Sequence, residues 1–244
     1  MTPSLPAILI GGPPHTGKSV LTYSLTQALR KRYIDHYVIR ACPDGEGDWS
    51  QESDHEAVRM IRIKGEWQPA FVQNVCSALE HRHFPLLVDV GGRPTEWQMS
   101  IMHHCTHALL LLRPDDETAT RFWLQVAEDN NLLPLAHIHS VLNGPSTIIS
   151  LFPLLEGTLS GLVRHTQAQG PLFDTLVARI HTLFTSYSTW ELRQNYFNEA
   201  PGEVIDLDTL LPIFAPYSER WEPSMLQMLL ARLPRHTPLA IYGR

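Results

Sequence analysis

The chain lacks the features by which disulfide-rich, membrane and nucleic-acid-binding proteins are usually recognised. Its three cysteines, Cys42, Cys76 and Cys105, stand in no paired spacing, which excludes a disulfide framework and favours a reducing compartment. No apolar run approaches the roughly 18 residues that span a bilayer, and no basic region followed by a long apolar core opens the sequence. We therefore expect a soluble, cytoplasmic protein that does not associate with membranes.

Positive charge is scarce as well. The 19 Lys and Arg residues are outnumbered by 25 Asp and Glu, which gives a net charge of −6. This balance argues against a large electrostatic footprint for duplex nucleic acid, although it leaves room for a local basic patch. The segment H-H-C-T-H at 103–107 lacks the usual zinc-ligand spacings, so we interpret its histidines as residues of strand ends and helix caps.

What the sequence does contain is a complete phosphate-binding loop. Residues 12–19 read G-P-P-H-T-G-K-S, between the apolar run 7–10 and the stretch 20–29, which has a helical period. Strand, glycine loop and helix are the setting in which the motif G-x-x-x-x-G-K-[ST] wraps a phosphate chain. Lys18 would reach the β- and γ-phosphates, and the Ser19 hydroxyl would hold Mg²⁺. The residues predicted to bind the nucleotide are Gly12, Pro13, Pro14, His15, Thr16, Gly17, Lys18, Ser19 and Val20.

A second acid is predicted to share this site. Asp89 comes near the end of the apolar strand 85–90 and is followed by Gly91 and Gly92. In P-loop proteins an acid at this place binds Mg²⁺ directly or through water, and we expect Asp89 and Ser19 to supply its protein oxygens. The pattern D-x-x-G also allows a backbone amide to sense the γ-phosphate. The alternative is an acid that only caps a strand end.

An acid-rich loop follows the second predicted strand, 36–41. It contains Asp44, Glu46 and Asp48 with two glycines between them. In small P-loop kinases a carboxylate in this loop orients the acceptor hydroxyl and takes its proton, so we favour Asp44, then Asp48 and Glu46, as that base. A solvated acidic turn is the alternative. Arg40 and Arg93 are candidates for clamping phosphates or for plain ion pairs, with Arg93 included among the catalytic candidates.

Asn143 is the candidate residue for contacting the adenine ring of the nucleotide. It ends the fifth predicted strand, and its amide supplies both a donor and an acceptor for an adenine edge. An Asn-Gly turn explains the same residue equally well. No N-K-x-D guanine signature is present, so we expect ATP rather than GTP.

The order of elements predicts the fold. Continuous apolar strands separated by helices are typical of an α/β protein with a mostly parallel sheet covered by helices on both faces. We expect a kinase-like P-loop NTPase core over residues 1–150. A mainly helical C-terminal extension, 151–244, would pack on or complete the same domain.

Three segments together resemble a known family. They read I-L-I-G-G-P-P-H-T-G-K-S at 8–19, R-A-C-P-D-G-E-G-D-W at 40–49 and V-D-V-G-G-R-P at 88–94. With 159–164 and 237–244 they are similar to the P-loop module found fused to, or encoded beside, the ring nuclease of type III CRISPR systems. The resemblance implies an ATP-binding partner of a nuclease that degrades cyclic oligoadenylates. Such modules are often labelled AAA, but no helical lid with a sensor arginine is readable here.

Three functions remain open at this point. The leading hypothesis is a Mg²⁺- and ATP-dependent phosphotransferase acting on a nucleotide, an RNA end or a small hydroxyl acceptor. The second is a switch in which ATP binding or slow hydrolysis orders residues 90–92 and controls a homo-oligomer or a partner nuclease. The third is a module that binds cyclic oligoadenylate through the same cleft.

Overall fold

A computed structural model describes residues 5–43, 49–53, 65–92, 94–186, 203–207, 221–231 and 239–242, together with positions 56, 58, 60, 63 and 210. The chain divides into two compact units, 1–187 and 188–244. The first unit contains the phosphate-binding motif and is built on one sheet. None of the described helices is long and apolar enough to cross a membrane.

The sheet of the first unit has seven strands in the order β2-β3-β1-β4-β5-β7-β6. Every neighbouring pair is parallel except β6 and β7, which are antiparallel. Its strands are β1 (Ala7–Gly11), β2 (Tyr37–Ala41), β3 (Leu86–Val90), β4 (His107–Leu112), β5 (Leu133–Val141), β6 (Thr147–Ser150) and β7 (Leu155–Ser160). Since β1 lies between β3 and β4, three carboxyl-terminal strand ends meet at the loop that follows β1, where open α/β sheets bind their ligands.

Helices cover both faces of this sheet. They are α1 (Lys18–Arg30), α2 (Trp49–Glu52), α3 (Pro69–Glu80), α4 (Glu96–Met102), α5 (Glu117–Asp129) and α6 (Pro171–Thr185). Alternate residues of a strand point to opposite faces, and β1 follows this rule. Ile8 and Ile10 pack into the cluster that contains α1 and α6, while Leu9 packs into the cluster that contains α3, α4 and α5. Both faces are therefore apolar, which is why β1, β3 and β4 are continuous hydrophobic runs.

The predicted fold class is confirmed. The structure has the mostly parallel sheet, with helices on both faces, that the apolar strands and intervening helices indicate. It also contains β6, β7 and the short helix α2, which the sequence pattern did not predict. The predicted division at residue 150 falls between β6 and β7, and β7 pairs with β5 in the same sheet.

In the second unit, 188–244, the described residues form two short strands and a helix. These are β8 (Glu203–Asp206), α7 (Pro223–Leu230) and β9 (Leu239–Tyr242), and the two strands pair in parallel. Trp221 Nε1 donates a hydrogen bond to the Leu207 carbonyl at 3.0 Å.

Candidate functional site

The phosphate-binding loop joins β1 to α1 and is held by its own hydrogen bonds. The buried Thr16 hydroxyl donates to the Pro13 carbonyl at 3.0 Å. Gly17 is the N-cap of α1 and has φ 79°, a left-handed conformation that favours glycine. A Cβ on Gly17 would lie 2.4 Å from Leu162 Cβ. Because Gly17 has no side chain to cap the helix, the first amide groups of α1 keep the positive N-terminal end that binds phosphate.

Lys18 lies across the loop and is buried. Its Nζ donates to the Gly12 carbonyl at 2.9 Å and to the Pro13 carbonyl at 2.7 Å, and the side chain is only 8% exposed. Burial lowers the pKa of Lys18 to about 8, and the negative field of Asp89 acts in the opposite direction. The ammonium group is therefore short of negative partners. A phosphate chain would supply the charge that two neutral carbonyls do not.

Asp89 faces the loop from the neighbouring strand. Position 89 of β3 pairs with Ile10 of β1 on one side and with Arg40 of β2 on the other. Arg40 Nη1 lies 2.6 Å from Asp89 Oδ2, and the Asp89 side chain is 6% exposed. Adjacent parallel strands in this register place a cation and a carboxylate side by side. Arg40 thus contacts the predicted metal ligand. Of the two roles considered for Arg40, a phosphate clamp or an ion pair, the structure shows the ion pair.

The two glycines after β3 connect the phosphate loop to α4. A Cβ on Gly92 would lie 2.4 Å from the Pro14 backbone nitrogen, so the two backbones are in contact and only glycine fits. On the other side, Gln98 Nε2 donates to the Gly91 carbonyl at 3.2 Å, and Gln98 Oε1 accepts from the Thr95 amide at 3.1 Å. Gly92 thus contacts the phosphate loop, and its neighbour Gly91 is hydrogen-bonded to the first turn of α4.

The phosphate loop opens on a cleft of about 600 Å³, which we call the loop cleft. Its lining includes Lys18, Ser19, Arg40, Gln51, Asp89 and Arg164. The predicted pair Ser19 and Asp89 thus lies in one cleft. Gln51 and Arg164 were missed because they come from a four-residue helix and from the loop after β7. Neither segment contains a known motif. The family resemblance includes residues 159–164 but implies no role for Arg164.

A second cleft of about 500 Å³ lies at the carboxyl ends of β4 and β5, and we call it the strand-end cleft. Its lining includes Arg113, Asp115 and residues 140–142, and it shares His15 and Leu162 with the loop cleft. Arg113 Nη2 lies 2.8 Å from Asp115 Oδ2 in an exposed ion pair. The two clefts therefore adjoin across the phosphate loop.

The structure does not describe every predicted site residue. Asp44, Glu46, Asp48 and Arg93 lie outside the described residues. Asn143 is exposed and follows Leu142, which lines the strand-end cleft. Its hydrogen bond to a base stays a prediction.

The loop cleft fits the magnesium ion that a phosphate loop implies. Ser19 and Asp89 offer a hydroxyl and a carboxylate oxygen in one cleft, and these are donors that Mg²⁺ prefers. No group of three or more His, Cys, Asp or Glu residues with metal-binding geometry occurs among the described residues. This agrees with a metal held by few protein ligands and by the phosphates of its nucleotide.

The sheet order, the loop and the paired acid define a P-loop NTPase fold. No protein-family model matches the chain, and no curated protein matches it. Two solved structures resemble its fold at low identity. One is a GTPase from Pyrococcus abyssi in its apo form, with 14% identity, 55% of this chain and 66% of that chain covered, and a TM-score of 0.34. The other is the 54 kDa signal recognition particle protein from Aeropyrum pernix K1 in complex with GDP, with 10% identity, 81% of this chain and 50% of that chain covered, and a TM-score of 0.41.

Proposed function

We propose that this chain binds ATP with Mg²⁺ and transfers the γ-phosphoryl group to an O–H acceptor, as a P-loop kinase does. The observation that carries the proposal is the buried ammonium of Lys18, which lies on the phosphate loop in the same cleft as Ser19 and Asp89. Phosphoryl transfer needs mainly positioning and charge stabilisation. The cleft brings together the groups that supply both.

Each group has a definite part in this proposal. Lys18 and the amides at the start of α1 would bind the phosphate oxygens, and Arg164 would add a second cation at the same cleft. Ser19 and Asp89 would hold Mg²⁺, which when bound neutralises charge on the β- and γ-oxygens.

The nucleoside is proposed to occupy the strand-end cleft. This cleft adjoins the phosphate loop through His15 and Leu162, so a base and ribose placed there would leave the phosphates on the loop. ATP is preferred because the sequence has no guanine signature. Asn143 remains the proposed contact to the adenine edge.

The test is transfer of label from γ-labelled ATP, with Mg²⁺, to a panel of nucleosides, nucleotides and short RNAs. Lys18→Ala is the inactive variant, and Lys31→Ala, a change at an exposed lysine just after α1, is its matched control. We expect a labelled product in the wild type and in Lys31→Ala but not in Lys18→Ala. Equal labelling by all three proteins would contradict the proposal. A further variant, Asp44→Asn, should abolish transfer and leave ATP binding largely intact if Asp44 is the base.

A second candidate function is a nucleotide-dependent switch, and the contact of Gly92 with Pro14 favours it. A γ-phosphate that moved Gly92 would act on α4 through Gln98, and α4 could then control a homo-oligomer or a partner. Under this reading ATP is lost without any second substrate, and assembly follows nucleotide state. Light scattering with ADP and with a non-hydrolysable ATP analogue separates the two readings, because a kinase needs no change of assembly.

The proposal includes an accessory role in type III CRISPR defence. Its support is the resemblance of segments 8–19, 40–49 and 88–94 to the P-loop module associated with the ring nuclease. The partner would be a ring nuclease that degrades cyclic oligoadenylate. The rate of that degradation, measured with and without this chain and ATP, tests the role. We expect the rate to change only when chain and ATP are both present, and an unchanged rate would count against it.

A further inference from the structure

The side chain of Gln51 is buried in the loop cleft with an unused acceptor. It is 6% exposed and lines the same cleft as Lys18, Asp89 and Arg164. Its Oε1 is enclosed and makes no hydrogen bond to any residue in the part of the chain that the structure describes. A buried carbonyl oxygen in this state destabilises the fold, since its hydration is lost and not replaced.

The position of Gln51 is fixed by two contacts of α2. His165 Nδ1 lies 3.1 Å from the Gln51 backbone carbonyl, to which it donates a hydrogen bond in one tautomer. The Tyr23 hydroxyl of α1 donates to Glu52 Oε1 at 3.2 Å. The short helix is thereby attached to α1 on one side and to the loop after β7 on the other. Its glutamine is held at the cleft and is not a solvated surface residue.

The chemistry of the cleft indicates what Gln51 would bind. Phosphate oxygens accept hydrogen bonds, and the cations Lys18 and Arg164, which line the cleft, are donors suited to them. A carboxamide differs from these cations because it offers an acceptor as well as a donor. The Gln51 oxygen can therefore accept a hydrogen bond from an O–H or N–H group of a ligand. In phosphoryl transfer the nucleophile is such an O–H group, and it has to bind in this cleft beside the γ-phosphate.

We infer that Gln51 positions the O–H nucleophile, either water or the acceptor hydroxyl, beside the γ-phosphoryl group. This inference rests on the proposed function. The nucleophile oxygen forms a bond to phosphorus while the bond from phosphorus to the bridging β–γ oxygen breaks, and ADP leaves with that electron pair. The proton of the O–H group passes to the base of the proposed function and from there to the buffer. Gln51 neither gains nor loses a proton, and acts by hydrogen bonding alone.

The test compares Gln51→Leu with Gln125→Leu, a matched change at an exposed glutamine of α5 that bonds only Asp129 in the part of the chain described. We expect kcat to fall at least about tenfold in Gln51→Leu, with the Kd for Mg²⁺–ATP changed by less than about threefold. We also expect no fall in Tm, because an apolar group replaces a buried acceptor without a partner. Gln125→Leu should leave all three quantities unchanged.

A second variant keeps the test decisive if Gln51→Leu does not fold. Gln51→Asn retains the carboxamide and withdraws it by one methylene, and we expect an intermediate loss of kcat at unchanged Kd. Label found as free phosphate identifies water as the nucleophile, and label found on a ribonucleoside or short RNA identifies a hydroxyl. A kcat within about twofold of the wild type in both variants, or a Kd weakened as much as kcat, overturns the inference. A wild type that does not turn over ATP instead overturns the proposed function, and the inference with it.

Discussion

Because Lys18 is buried, we predict that nucleotide binding is accompanied by the uptake of protons. The Lys18 pKa of about 8 means that about half of the free protein carries a neutral lysine at pH 8. A nucleotide would place full negative charges against Nζ, which now donates to two neutral carbonyls. The pKa of the lysine in the complex should therefore return to its ordinary range, near 10.5. Binding should then take up protons from solution.

The size of this uptake follows from the two pKa values. We expect about 0.1 proton per nucleotide at pH 7, about 0.5 at pH 8 and about 0.9 at pH 9. The terminal phosphate of the nucleotide, with a pKa of about 6, is almost fully ionised at pH 8 and above and adds little there. By linkage, the Kd should rise nearly tenfold for each pH unit above about 8.

The assay is isothermal titration calorimetry at one pH in buffers of different ionisation enthalpy. The slope of the observed enthalpy against the buffer enthalpy gives the number of protons taken up. Lys18→Arg is the control, because a guanidinium stays protonated throughout and its binding should show no uptake. Tight binding without proton uptake at pH 8 to 9, or equal uptake in Lys18→Arg, would refute the reasoning.

Three further predictions concern the surroundings of Lys18 and the stability of the sheet. Gly92→Ala should weaken nucleotide binding at least about tenfold, measured by equilibrium dialysis, because the new methyl meets the backbone of the phosphate loop. Asp89→Asn should abolish Mg²⁺-dependent turnover of labelled ATP and lower the free energy of unfolding in urea by about 1–3 kcal/mol, since Arg40 loses a charged partner. Burial lowers the pKa of His137, so the unfolded chain binds the proton more readily. Stability should therefore fall as the pH drops below about 6.5, and the Tm of His137→Gln should depend less on pH.

The first of these predictions has a matched control variant, and each has an outcome that would contradict it. Gly65→Ala adds a methyl that meets only ordinary contacts of 3.4 Å or more, and it should bind nucleotide like the wild type. If Gly92→Ala does the same, the contact with the phosphate loop is not needed. Metal-dependent turnover that survives in Asp89→Asn would remove Asp89 from the metal site. A Tm profile of His137→Gln identical to that of the wild type would assign the pH dependence to other groups, such as His107, whose pKa burial also lowers.

The half of the sheet that carries the phosphate loop could be predicted because its signals are local. The buried strands β1, β3 and β4 appear in the sequence as runs of mostly apolar residues, and the phosphate loop has a fixed spacing. β6 and β7 were missed for a physical reason. β7 reads L-E-G-T-L-S, in which every second residue is buried and one of the buried positions is Gly157. The pattern is short and contains a strand-weakening glycine, and β7 is stabilised by pairing with β5 and β6.

Much of the candidate site could not be predicted for a different reason. Arg40 and Asp89 are 49 residues apart in sequence and become neighbours only through the register of two parallel strands. Gln51 and Arg164 reach the cleft from segments with no periodic pattern, and the contact of His165 with Gln51 spans 114 residues. Long-range contacts of this kind depend on the topology and cannot be predicted from a local sequence motif.

The first measurement we would make is the Kd of Mg²⁺–ATP and of Mg²⁺–GTP for the wild type, Lys18→Ala and Lys31→Ala, by calorimetry at pH 7.5. We predict micromolar or tighter binding of ATP to the wild type and to Lys31→Ala. Binding to Lys18→Ala should be weaker by at least about 100-fold, which corresponds to about 2.7 kcal/mol. Absence of binding to the wild type, or equal binding to all three proteins, would contradict a nucleotide site on this loop. Tighter binding of GTP would retain the site and overturn the assignment of ATP.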